Sequence, residues 1–539
     1  MLRRMESFVA LLVCLLAFAP LSNAQITLTE ETANNTSACN PQGQTQPAWC
    51  TYANSYFNGF EDQNDVGMNP PPVETVWPDP VAGHVTNVSL SSTAAPTLMY
   101  TGFNGQFLCN YLPWFGSSSH KDVGYDETNS QTTDAQATAM NAAGCNVALV
   151  SFYGTDQLDT NSDYNFDLLA TGTLFTSVGT VSGLKFGIME IDQAFSGSST
   201  EGHDDGNCNR FGDTDYQDTM NCIEGALEND LAYIDSNYVG NHYWKDGSPS
   251  AKPVMAFFGS LCDFPALSAG DSGNCPEAGG NGISRWNTIW SAVQAVWPSF
   301  KFVFQYGAFD RPTSSAGEFA WPQPAHWDGN GGGDPSGSQY WWCDDTKAGC
   351  ASTTYLYDFY QAGSQNPSDL TIGLIDKGFD DTNASWGTNR VTSEQCGNVL
   401  FLTAQQALNG FFGSGNPIPY MQIATWNDYE EGTEIETGID NCYSISASKD
   451  SGNLSWILTS SDQYGYATTA TIHHFTVWWS FIGDPNQTIH VAATNIPSSQ
   501  TSISLSDLVV PNPPVNLYVE AVGMPLFLNK MSEAVPYTE

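Results

Sequence analysis

The sequence predicts a (β/α)8 TIM-type barrel followed by a small antiparallel β-domain. Three observations lead there. Eight short apolar runs, rich in β-branched and aromatic residues, alternate with stretches of helical character. Several of these runs end in an aromatic or acidic residue, as strands opening onto one barrel mouth would. After about residue 450 the helical pattern stops and apolar residues recur on period two. A doubly wound open sheet is the alternative reading of the same alternation.

Taken in order, residues 1–24 read as a secretion signal. Arg3 and Arg4 precede an apolar stretch at 8–19, and small residues lead to a cleavage position after Ala24. That stretch is too short to span a bilayer, and no later run is long enough. Residues 25–100 form a loop-rich, proline-containing extension. The barrel is expected over 101–450, with strands at 106–115, 146–154, 185–192, 252–259, 300–307, 317–323, 370–376 and 420–428. Helices are expected at 133–144, 220–235, 284–297 and 393–412. The sixth strand is the weakest, being short and carrying Pro322. Residues 451–539 read as a β-sandwich of immunoglobulin or fibronectin-like type, in which Trp478 and Trp479 are expected to serve core or interdomain packing, with a binding surface as the alternative.

Charge narrows the function. Fifty-seven Asp and Glu face 15 Lys and Arg, a formal net charge of −42. Nucleic acids and anionic membranes need basic patches, so neither is an expected partner. A surface this acidic and rich in hydroxyl and amide groups suits an extracellular protein that works in acid or beside a neutral polymer. Of 13 cysteines, Cys14 leaves with the signal and twelve remain. An even number separated by short polar loops implies disulfides, with local pairs 39–50, 208–222, 262–275 and 343–350 favoured. No CxxC pair, phosphate loop, GxSxG elbow or HExxH motif occurs, so neither a metal nor a cofactor is expected. The oxygen-rich stretch 159–167 lacks the turn glycine and bidentate Glu of a calcium loop and reads as a polar loop. His473 and His474, adjacent in a strand, are expected on opposite faces. A monomer is expected.

The segment "TWNDYEEGTEIE" (425–436) follows the last apolar run and holds Asp428, Glu430, Glu431, Glu434 and Glu436. Carboxylates this close raise one another's pKa. The cluster is either a solvated loop or a device for chemistry. It is similar to the "WN-acid-aromatic-x-E-G-T-x-I-E" segment of the endo-α-mannosidase (family 99-like) glycoside hydrolases. Its first half resembles the "WND-aromatic-G-E" of the α-1,3-glucanases of family 71. "NYLPWFG" with the following "GYDETN" resembles the first strand of the same group. The resemblance spans about residues 106–436 and implies a secreted (β/α)8 glycoside hydrolase, endo-acting on an α-linked polysaccharide or oligosaccharide. Carried over, Asp428 is the general base and Glu431 the general acid. It leaves two mechanisms open, inversion through water or retention through the sugar 2-hydroxyl.

Trp426 and Tyr429 are then expected to wall the sugar, and Glu436 to support the acids. Glu430 and Glu434 are expected to be solvated. Trp114, Tyr153, Glu190, Asp192 and Trp321, at other strand ends, are the remaining expected substrate contacts; Asp376 and Asp310 are weaker candidates. Where the relatives' second strand reads "DWYG", this chain has Ser151, one carboxylate fewer. The alternative function is a catalytically silent barrel that binds carbohydrate at a cell surface.

Overall fold

The structure, a computed structural model, describes residues between Ala95 and Thr538, leaving out internal stretches of which 193–207, 268–280 and 323–353 are the longest. The expected signal, most of the 25–100 extension, Asp310 and the cysteine pairs 39–50, 262–275 and 343–350 lie outside the described residues.

Eight parallel strands close into a barrel. They are β1 (Gln106–Tyr111), β2 (Val147–Phe152), β3 (Lys185–Ile191), β4 (Val254–Phe258), β5 (Lys301–Gln305), β6 (Gly317–Phe319), β7 (Leu370–Ile375) and β10 (Tyr420–Ile423), with β10 returning to pair with β1. A ribbon of β8 (Phe379–Asp380) and β9 (Val391–Thr392) precedes the last of them. All eight barrel strands fall inside the runs read from the sequence, and the open-sheet alternative is overturned by the β1–β10 pairing.

The helices are α1 (Ser130–Ala142), α2 (Ser162–Val178), α3 (Tyr216–Asn237), α4 (Asn281–Val296), α5 (Thr354–Gln365) and α6 (Asn398–Gln406). Asn129 caps α1, accepting a hydrogen bond from the Gln131 N–H at 3.0 Å. From Ser162 on, helix α2 corrects the reading of 159–167 as a polar loop, residues 159–161 lying outside the described residues: Asp167, Ala170, Leu174 and Val178 recur on its buried face, and that spacing outweighs the polar composition. Among the described residues no helix lies between β5 and β6, so the alternation is broken once.

Strand parity separates two cores. Leu108, Leu149, Met189, Ala256, Val303, Phe319, Ile372 and Tyr420 fill the barrel interior, while Cys109, Val150, Ile188, Phe257 and Met421 face the helices. Gly187 keeps room for the Trp244 ring, which would lie 3.3 Å from a Cβ at that position.

The C-terminal part holds β11 (Tyr443–Lys449), β12 (Asn453–Ser460), β13 (Ile472–Phe481), β14 (His490–Pro497), β15 (Ser502–Ser504), β16 (Val515–Gly523), β17 (Lys530–Met531) and β18 (Val535–Tyr537). One antiparallel sheet has the order β11-β12-β15; the other has β14-β13-β16-β17, with β18 also on β16. Leu454, Trp456, Phe475, Val477, Leu517 and Val519 form the core of this domain. Tyr518, Phe527 and Leu528 instead join Val399, Ile435 and Ile439 in the core that continues into the barrel. Trp478 packs against that shared core and donates to Glu520 at 2.6 Å.

Cys208–Cys222 is bridged as expected. Cys109–Cys145 and Cys396–Cys442 close longer loops of 36 and 46 residues, which local spacing did not reveal. His473 and His474 are not on opposite faces. The pairing of β13 with β16 skips His473, a bulge that turns both imidazoles together, with their Nδ1 atoms 2.8 Å apart. No helix among the described residues is long and apolar enough to cross a membrane.

Candidate active site

The C-terminal end of the barrel interior turns from apolar to polar. On the inner period of β1 and β10 stand Asn110 and Gln422, and the Asn110 Nδ2 donates to Gln422 Oε1 at 2.8 Å. Gln422 also donates to the Ala320 carbonyl. Above them the chain after β10 runs on between its neighbours: the Ala424 N–H donates to the Ile375 carbonyl at 3.2 Å and the Trp426 N–H to the Asn110 carbonyl at 2.6 Å.

Residues 425–436 then fold back on themselves. The Thr425 N–H donates to the Thr433 carbonyl at 3.2 Å, the Thr433 N–H to the Asp428 carbonyl at 3.0 Å and the Ile435 N–H to the Trp426 carbonyl at 3.0 Å. Gly432 supplies the one left-handed turn, at φ 59°. Asn427 fastens this loop to the end of β1, accepting from the Leu112 N–H and donating to the Leu112 carbonyl, each at 2.9 Å. The same amide donates to Glu127 Oε1 at 2.8 Å, and Glu127 Oε2 accepts from the Phe115 N–H at 2.8 Å. Burial pushes the Glu127 carboxyl well above the ordinary glutamate range.

Of the segment 425–436, Glu431 alone is not buried. The five acids therefore differ sharply. Asp428 is buried, and its Oδ1 accepts from the backbone N–H groups of Glu430 and Glu431, each at 2.9 Å. Burial, and then the neighbouring Glu431 charge, push Asp428 well above an ordinary aspartate against the pull of those two bonds.

Glu430 and Glu434 are not solvated, contrary to expectation. Glu430 meets His120 Nδ1 at 2.9 Å and accepts from the Lys121 N–H at 3.0 Å. Glu434 accepts from Lys377 Nζ at 2.9 Å, and the same ammonium meets Glu394 at 2.7 Å. Burial works against the Lys377 charge, but Glu394 and Glu434 outweigh it and hold the ammonium protonated. A buried carboxylate needs such partners, and here each has one.

Glu436 is buried too, accepting from the hydroxyls of Tyr125, at 2.8 Å, and Tyr429, and from the Gln136 amide. Burial carries it up to about 7 despite these three donors.

The expected sugar contacts are placed unequally. Trp114 lies at the mouth, stacked on His120 with ring centres 4.5 Å apart and tilted against Tyr153 at 5.9 Å. Trp321 packs edge-on against Phe258 at 4.9 Å and is half-buried. Asp192 follows β3, and Gly259 (φ 141°) lies so close that a Cβ there would sit 2.3 Å from the Asp192 Cβ.

Glu190, by contrast, shares the outer parity of Phe186 and Ile188 and faces Asp230 of α3, away from the barrel interior. Burial, followed by Asp230, raises its pKa well above the ordinary range. Trp426 is fully buried in the helix-facing core and donates to Gln136; Tyr429 is buried against Phe115, ring centres 5.7 Å apart. Asp376 is buried after β7, and burial raises its pKa well above the ordinary range.

Sequence reasoning missed Asn110, Gln422, His120, Lys121, Glu127 and Lys377. The first two carried a signal, polar residues on the inward period of otherwise apolar strands. Lys121 sits among carboxylates, its Nζ 3.5 Å from the Tyr429 carbonyl. Burial lowers its pKa, opposed by Glu434, Glu430, Asp380 and Asp428. Among the described residues no cluster of three or more His, Cys, Asp or Glu is arranged to hold a metal ion.

No family model and no curated protein matches the chain. Solved structures similar to it include a GH99 endo-alpha-mannosidase from Bacteroides thetaiotaomicron, with 13% identity, a TM-score of 0.37 and coverage of 62% of this chain and 88% of that one. A protein described as glycoside hydrolase-like has 12% identity, a TM-score of 0.38 and coverage of 63% and 88%. An exo-beta-1,4-mannosidase from an Opitutaceae bacterium has 10% identity, a TM-score of 0.36 and coverage of 68% and 60%. At these scores no family is assigned, and the barrel rests on its own strand order.

Proposed function

We propose that this protein is a secreted glycoside hydrolase that cleaves α-glycosidic bonds within a polysaccharide, with Asp428 as general base and Glu431 as general acid. One observation carries the reading. At the C-terminal end of a barrel strand, a tightly bonded and otherwise buried loop leaves a single residue unburied, and that residue is a carboxylic acid three positions from a buried, positioned aspartate. A solvated acidic loop has no reason to bury its other four acids.

Glycosidic cleavage needs a proton for the leaving oxygen and a base to take one from the nucleophile. Glu431 supplies the first. Asp428 receives the second, from water or from the sugar 2-hydroxyl, and a raised pKa makes it a stronger base than a free aspartate. The two backbone N–H groups on Asp428 Oδ1 hold its orientation through the proton transfer. Trp114, His120 and Tyr153 form an aromatic wall for the sugar rings. Glu430 is held by His120 and the Lys121 N–H, and Glu434 by the Lys377 ammonium.

Wild type, Asp428→Asn and Glu431→Gln assayed on α-glucans and α-mannans over a range of pH should show release of reducing ends by wild type, with both variants reduced by about 10²–10⁴. Equal rates in wild type and variants would remove the assignment. The anomer of the first product separates the two mechanisms.

A further inference from the structure

Strand β13 serves two surfaces. Trp478 faces the core shared with the barrel and is tied down by Glu520. The alternate residues Phe475 and Val477 fill the core of the C-terminal domain, but the last two positions on that same face emerge from it. Trp479 is half-buried and Phe481 is 47% exposed.

The rings at this end are organised. His490, directly opposite Trp479 on β14, stacks on the indole with centres 4.3 Å apart and planes 24° from parallel. Phe481 meets the same indole edge-on at 4.9 Å. His490 is exposed as well.

We propose that Trp479, Phe481 and His490 form a binding shelf for a neutral polysaccharide, separate from the barrel mouth. Charge selects the occupant. On a molecule of net charge −42, the described residues 479–482, 489–491 and 515–517 carry no acid or ammonium group; the link 483–488 lies outside the described residues. An anionic ligand would be repelled by the rest of the surface, and a cationic one would find no counter-charge here. A pyranose offers an apolar C–H face for an aromatic ring and hydroxyls for an imidazole nitrogen at its edge. Because Trp478 fixes the other face of β13 to the barrel core, a chain held on the shelf stays at a set distance from the barrel. The proposal extends the polysaccharide reading, but it is tested without any cleavage.

The test uses the full chain carrying Asp428→Asn, with and without Phe481→Ser plus His490→Ala, measured for retention on insoluble α-1,3-glucan and on α-mannan. Retention of the parent on at least one polymer, weakened about tenfold by the double substitution at unchanged melting temperature, is the expected result. A Trp479→Phe variant, which keeps a ring in place, should lose less. The proposal is overturned if the parent is retained on neither polymer or if the double substitution leaves retention unchanged. It is also overturned if that substitution instead abolishes a concentration-dependent dimer, since the shelf would then be a self-interface. Failure of cleavage in the wild-type chain, with retention intact, would remove the hydrolase reading and leave the shelf.

Discussion

Replacing Glu436 by glutamine should flatten the dependence of stability on pH. In the folded chain this carboxyl is raised from 4.5 to about 7, chiefly by burial. The folded state thus binds the proton more tightly than the unfolded chain. Its contribution is fully present below the unfolded value and is lost as pH rises through the folded one. At about 1.4 kcal/mol per pH unit, the rise from 4.5 to about 7 is worth about 3 kcal/mol once both states are ionised. Between about pH 5 and about pH 8 the loss is about 2.5 kcal/mol.

Glutamine cannot ionise, so this part of the slope should vanish. Its amide also faces the Gln136 donor, so near pH 5 the variant should be less stable than wild type by about 1–3 kcal/mol, and that gap should close as pH rises. The informative quantity is therefore the slope and not the offset. Denaturant unfolding at several pH values in this range gives it directly. A variant curve parallel to wild type would refute the burial argument for Glu436.

Glu520, also raised to about 7 by burial against its bond from Trp478, should lose a similar share of slope on substitution to Gln, read in the same titration. Lys377→Met should cost about 3–5 kcal/mol in urea unfolding at neutral pH, because Glu394 and Glu434 are left buried without their cation. Removing the Cys396–Cys442 bridge by serine substitution should cost about 4 kcal/mol, given its 46-residue loop. If Asp428 is the base, the acid limb of kcat/KM should lie above the ordinary aspartate range, since burial and Glu431 both raise it; a limb at the usual position would point to a solvated base.

The barrel was legible because its strands are nearly continuous apolar runs, and burial on both faces leaves that pattern in any sequence. Helix α2 was hidden because its first turn is polar and only the spacing of Asp167, Ala170, Leu174 and Val178 marks it. Within the candidate site, a local motif singles out Asp428 and Glu431, the pair proposed here, from five acids. What the other three do could not be read from it, because their partners His120, Lys121, Lys377, Tyr125 and Gln136 come from other elements. Glu190 shows the limit of arguing from strand ends: a residue at the right end of β3 still faces the helices if its parity is outward. The His473 bulge is a similar case, since a single inserted residue cancels the alternation on which facing was inferred.

Asp428 and Glu431 are proposed to act together on a glycosidic bond. The most direct measurement is the rate of reducing-end release from α-linked polysaccharides by wild type, Asp428→Asn and Glu431→Gln, each confirmed folded by its melting temperature. Wild type is expected to cleave at least one such polymer, with a loss of about 10²–10⁴ in each variant. Cleavage unaffected by either substitution, or polymer binding with no cleavage by any of the three, would contradict it.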